Sequence, residues 1–130
     1  MKKSPGGSIF PYFYKGGELF GLHFGSFHAD EEGLLARMRA EEEFMAGLYG
    51  HFPLWIDFYE TKLTDRILSE FLQSMYRSRD FITKLAIVGC SRRDKNRMLR
   101  LGKKLNIELP MPLRFYDDPE VAKTWLVSEG

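Results

Sequence analysis

The groups in this chain able to do chemistry are one thiol, three imidazoles, and a set of hydroxyls, acids and arginines between residues 57 and 92. Cys90 stands before Ser91, at what reads as a helix start, with Arg92 and Arg93 next in line. That setting can lower a thiol's pKa, but a nucleophile also needs a base in reach, and nothing in the sequence places one beside it. His23 and His28 lie five residues apart across a strand end and face opposite sides, so they do not share a metal; with His51 they read as ordinary histidines. No glycine pattern of the GxGxxG or GxxxxGK[ST] kind is present to cradle a phosphate. The expectation is therefore a protein that is not an enzyme, with no catalytic residue, no metal site and no cofactor.

The remaining polar groups gather if two apolar strands adjoin. Residues 54–59 and 85–89 follow one another in a βαβ pattern, and their C-terminal ends would place Asp57, Thr61, Thr64, Asp65, Cys90, Ser91 and Arg92 along one rim of a sheet. Strand ends and helix starts leave backbone N–H groups facing open space, so this rim is the predicted functional surface. A plainer role competes at each residue: Asp57 fastening its loop, the hydroxyls capping helices, the charges solvated.

The elements that would position this rim follow from periodicity and punctuation. Residues 1–8, MKKSPGGS, read as a flexible N-terminus ahead of a single domain over 9–130. Residues 9–14 and 18–27, aromatic-rich and separated by Lys15-Gly16-Gly17, predict a β-hairpin. Pro11 removes a donor, so its strand belongs at an edge or carries a bulge. Phe20, Leu22 and Phe24 alternate with Leu19, His23 and Phe27 across the next strand, and Gly21 and Gly25 mark the close approach of something packed above. Whether the hairpin extends the sheet or lies over it stays open.

Asp30 predicts a helix cap, followed by an apolar stripe of Leu34, Met38, Met45 and Leu48. Glu41 falls on the same stripe. A bend near Ala40 that releases this acid to water is the expected resolution, and 49–53, with Gly50 and Pro53, predicts the helix end. After the strand at 54–59, Thr61 or Thr64 can cap a helix whose Leu63, Ile67, Leu68, Phe71, Leu72 and Met75 form one continuous apolar stripe. A second apolar strand follows at 85–88. Ser91 and Asp94 then suggest a capping box for a helix that buries Met98, Leu101 and Leu105 and turns Arg93, Arg100, Lys103 and Lys104 outward. A last strand at 113–116 leads through Asp117-Asp118-Pro119 into a helix with Val121, Ala122, Trp125 and Leu126 on its apolar side.

Strand and helix alternate after the hairpin, which predicts an α/β fold: a mixed sheet of about five strands with about four helices. At 130 residues, with 44% hydrophobic and 28% charged residues, the chain suits one soluble domain with its own core. No apolar run is long enough to cross a bilayer or to serve as a secretory signal, and the single cysteine suits a reducing compartment, so a cytoplasmic protein is expected. A net charge of +1 gives no global pull toward nucleic acid. The charge is unevenly spread. Residues 30–43 carry six acids against two arginines, and residues 92–104 carry seven basic residues against Asp94. Helices of opposite sign allow a homodimer.

In its order of elements the chain resembles the STAS domain, the module of anti-sigma-factor antagonists and of sulfate-transporter tails. The segments GLHFGSFHADEEGLLARM, LWIDFYETKLTDRILSEFLQSMY, KLAIVGCSRRDKNRMLRL and PLRFYDDPEVAKTWL carry the resemblance, which spans residues 18–126. The last is similar to the small stand-alone bacterial branch. The resemblance implies a regulatory protein-binding module whose serine at the second helix start is phosphorylated by a partner kinase. Counted from Asp57, that position is Arg66, preceded by Asp65, so the family's serine switch is absent; Thr61, Thr64 or Ser69 could substitute. The expectation is a non-enzymatic module that binds a protein through Asp57 to Arg66 and the neighbouring helix. The alternative is a carrier of a small molecule or lipid, because stand-alone relatives share their fold plan with lipid carriers and the glycine-interrupted aromatic hairpin could wall a pocket for a small hydrophobic ligand.

Overall fold

Every strand of the central sheet after the first is parallel to its neighbour, as the alternation of strand and helix predicts. The computed structural model describes residues 2–48 and 50–128. Tyr49, on which part of the predicted helix end falls, lies outside the described residues, as do Met1, Glu129 and Gly130 at the ends of the predicted segments. The sheet contains β3 (Tyr12–Tyr14), β4 (Gly17–His23), β5 (Phe52–Asp57), β6 (Ile82–Val88) and β7 (Leu113–Tyr116), following β1 (Lys2–Lys3) and β2 (Ile9–Phe10), which pair separately. Its order is β3-β4-β5-β6-β7, with β3 antiparallel to β4. The fold is α/β, a mixed five-stranded sheet with four helices: α1 (Glu31–Ala46), α2 (Asp65–Arg77), α3 (Arg92–Lys104) and α4 (Pro119–Leu126).

The strand order decides where the helices go. Three successive parallel crossovers step across the sheet in one direction, and because each is right-handed, their helices all land on one face. Accordingly Phe20, Leu22, Leu54, Ile56, Leu85 and Ile87 meet the buried residues of α1, α2 and α3 in one core cluster. Their alternating neighbours Leu19, Trp55, Ala86 and Val88 meet Ala122 and Leu126 of α4 on the other face. The predicted stripe of α2 is buried throughout. In α4, Val121 is half-exposed instead of core-facing, because Ala122 and Leu126 take the sheet side.

The hairpin extends the sheet with β3 at its edge, but the predicted 9–14 strand is interrupted at Pro11: Tyr12–Tyr14 pairs with β4, and Ile9–Phe10 pairs with β1 instead. Its second strand stops at His23, so Phe27 packs with the α1 side rather than opposite it. β5 begins two residues earlier than predicted, and its register with β6 shifts between Phe52 and Leu54, around Pro53, which brings no N–H. The α1 cap is Asp30, whose carboxylate accepts the Gly33 N–H at 3.0 Å. Gly47 rather than Gly50 follows the last turn of that helix.

Two expectations about the N-terminal third are corrected. Residues 2–10 are ordered by pairing: Lys2 and Lys3 lie opposite Phe10 and Ile9, Ser4 and Ser8 are buried, and the Ser8 hydroxyl donates to the Gly21 carbonyl. The physical cause is that β3 covers only residues 17–19 of β4, leaving the edge beyond to be satisfied by other groups. Nor does α1 bend to release Glu41. The helix is continuous, Glu41 is 0% exposed, and its Oε1 accepts the Gly6 N–H at 3.0 Å. The acid on the apolar stripe is where the N-terminal hairpin fastens.

Candidate functional site

The parallel strands all end at one rim, and α1, α2 and α3 start there, so the predicted residues share that edge of the molecule. They do not converge on one point. Asp57, at the end of β5, accepts the Tyr59 N–H at 2.8 Å through Oδ1, and a Cβ on Gly25 would lie 3.2 Å from both its carboxylate oxygens. Thr61 donates to the Phe24 carbonyl at 2.8 Å and accepts the Phe27 N–H at 3.2 Å, stitching the loop after β4 to the loop after β5. These two side chains hold backbone.

Thr64, Asp65 and Arg66, at the start of α2, form a clamp that reaches the first turn of α1 and the middle of α3. The Thr64 hydroxyl caps α2 by accepting the Ile67 N–H at 3.2 Å and donates to the Glu31 carboxylate in the first turn of α1. Arg66 reaches Glu32 at 2.6 Å and Glu31 at 3.2 Å. Asp65 points the other way, to Arg97 of α3 at 2.6 Å, and Arg97 also donates to the Leu63 carbonyl at 2.7 Å and to Asp94 at 3.1 Å. The Thr64 hydroxyl, followed by Arg66, holds the Glu31 carboxyl below its usual range. The residue at the expected switch is thus an internal ion-pair partner.

Ser91 and Arg92 lie beyond this clamp. Ser91 caps α3 by accepting the Asp94 N–H at 3.1 Å, while Asp94 gives its own carboxylate to Arg97, so the capping box is only half formed. Arg92 is exposed, without an ion-pair partner among the described residues, and borders a groove of about 610 Å³ with Lys95, Phe115 and Asp117. Cys90 lies at the floor of that groove. Burial, then Asp94, pushes its thiol up to about 12, the opposite of the shift an activated nucleophile needs. Among the described residues no group of three or more His, Cys, Asp or Glu is placed to hold a metal.

The charges on the helices are disposed differently from one another, which composition could not show. On α1, Glu31 and Glu32 are taken by Arg66, and Glu42 by Arg77 of α2 at 2.8 Å. On α3, only Arg97 is paired; Arg92, Arg93, Lys95, Arg100, Lys103 and Lys104 are exposed with no acidic partner among the described residues. Arg93, Arg100 and Lys104 line a groove of about 290 Å³ between α3 and the start of α2.

A second recess opens on the α4 face of the sheet, walled by Tyr12, His23, Trp55 and Lys123 and the turn of the N-terminal hairpin, with a volume of about 190 Å³. The sequence singles out Gly21 there, and its neighbour is Trp55: a Cβ on Gly21 would stand 2.5 Å from the indole Nε1. Lys123 carries no such signal, because only strand pairing brings Tyr12 and Trp55 to it from distant parts of the chain. No protein-family model, curated protein or solved structure matches the chain. No helix among the described residues is long and apolar enough to cross a membrane.

Proposed function

We propose that this chain is a non-enzymatic, STAS-like interaction module that binds an acidic protein partner through the outer face of α3 and the rim beside it, without the serine switch of that family. The observation that carries this reading is the asymmetry of pairing: six cations on α3 have no counter-ion among the described residues, whereas Glu31, Glu32 and Glu42 of α1 pair with Arg66 and Arg77 of α2. Like charges held on one helix repel, and an acidic surface relieves that repulsion while steering the encounter. A second copy of the chain fits this role poorly, since Glu31, Glu32 and Glu42 are engaged within their own protomer. A net charge of +1 also favours a local protein contact over the long-range attraction on which nucleic-acid binding rests.

The rim supplies rigidity to this surface. Asp65–Arg97 ties α3 to α2, and Arg66 ties α2 to α1, so the cations are presented on a fixed frame. Phosphorylation of Thr64 would put negative charge beside Glu31 and Asp65 and open the clamp, an alternative route to regulation in the absence of the serine.

The test compares partners recovered from the native cell by wild type, by Arg93→Glu/Arg100→Glu/Lys104→Glu, and by Asp65→Lys/Arg66→Glu, with binding of each purified partner followed as salt is raised. The expected result is a partner lost with the triple reversal and released by salt. Partners unchanged by the triple reversal overturn the α3 surface, and equal or tighter binding of random duplex DNA overturns the protein partner.

A further inference from the structure

The recess on the α4 face is built from rings and hydrogen-bond donors, with no acid in its walls. Trp55 forms its floor, with the His23 ring edge-on at 5.3 Å and an interplanar angle of 86°. The Lys123 ammonium lies 4.6 Å from the Trp55 ring centroid and 5.6 Å and 5.9 Å from those of Tyr12 and Tyr14. It makes no hydrogen bond or ion pair among the described residues, and neither does the Trp55 Nε1–H beside Gly21. Ile9, half-exposed at the mouth, adds an apolar lip.

From this arrangement we infer that the recess is a binding site for a small aromatic carboxylate, its ring against Trp55 and Ile9 and its carboxylate on the Lys123 ammonium. Size supports one ring. A cavity of about 150 Å³ accepts benzene, so about 190 Å³ has room for a benzene ring with one carboxylate attached. Charge supports the anion. An ammonium held over π-faces keeps its N–H donors for an acceptor, and a carboxylate is the acceptor that also neutralises it. The glycine at position 21 makes room for the indole, since any side chain there would strike Nε1. The site stands apart from α3, so it is independent of the protein-binding reading.

The experiment follows the indole N–H resonance of Trp55, assigned with Trp125→Phe, during titration with benzoate, benzamide and hexanoate. Benzoate should shift it in a saturable way at millimolar concentration or below. Benzamide, of the same shape without the charge, should bind about tenfold more weakly or worse, as should benzoate to Lys123→Met. Hexanoate, an anion without a ring, should also bind more weakly. No saturable benzoate shift in wild type overturns the site. Benzamide binding as well as benzoate overturns the role of Lys123 even if the methionine variant unfolds, and hexanoate binding as well as benzoate overturns the aromatic class.

Discussion

The Glu41 carboxylate accepts the backbone N–H of Gly6, 35 residues earlier in the chain, at 3.0 Å, and the second carboxylate oxygen is buried without a partner. This contact joins the β1–β2 hairpin to the middle of α1. Around it stand the Ser4 hydroxyl, Arg37 and His23, but burial outweighs them and raises the Glu41 carboxyl above its ordinary value of 4.5.

A pH dependence of stability follows with a definite sign. The native state holds the Glu41 proton to higher pH than the unfolded chain, so this residue's contribution is fully present below about pH 4.5 and declines as pH rises through the raised value. Glu41→Gln, which keeps an acceptor for Gly6, removes that slope. Urea unfolding of the two proteins at several pH values should show the variant gaining on wild type from pH 4.5 to pH 7; a constant difference contradicts the assignment.

The opposite sign is expected at Glu42. Its two oxygens receive Nε and Nη2 of Arg77 at 2.8 Å and 2.9 Å, and the Ser74 hydroxyl at 2.7 Å. Arg77 above all, and Ser74, hold this carboxyl below its ordinary value. Its stabilisation is present above about pH 4.5 and lost as pH falls through the lowered value. Glu42→Gln should lower stability by about 1 kcal/mol at pH 7, the discount reflecting a pair still open to solvent, and by less in acid.

At the end of β6, Gly89 has φ +84° and sits so close to the neighbouring loop that a Cβ would be 2.6 Å from the backbone nitrogen of Tyr59. Neither the strained backbone nor the clash can be relieved by rotating a side chain. Gly89→Ala should destabilise the fold by about 2–5 kcal/mol, measured by chemical unfolding. A loss below 1 kcal/mol would mean that the two loops separate readily.

Cys90 should be slow to react. With its thiol near 12, almost none is thiolate at pH 8, and alkylation by iodoacetamide should run about a hundredfold or more below that of free cysteine. In urea the rate should recover to the free-thiol value. A native rate equal to that of free cysteine would restore Cys90 as a candidate nucleophile.

Much of the architecture was legible because it is local. The apolar stripe of α2, the caps Asp30, Thr64 and Ser91 and the close approach at Gly21 each express a backbone or periodicity constraint that a few neighbouring residues suffice to state. The candidate rim was legible to the same extent: Asp57 lies at a strand end, Thr64, Asp65, Arg66, Ser91 and Arg92 lie at helix starts, and Thr61 lies in the loop between β5 and α2.

What those residues touch was decided only by the tertiary structure. Arg66 looked like a vacant switch and is an ion-pair partner of Glu31 and Glu32, because right-handed crossovers set α1 beside α2 on the same face. Glu41 looked like an acid escaping to water and is buried, because a segment with little reason to settle by itself crosses the exposed edge of β4 and caps it. Lys123, which no local pattern marks, lies over three rings that strand pairing and the packing of α4 bring together. Composition and spacing count charges and hydroxyls, whereas the distances that make them partners exist only once the sheet has closed its register.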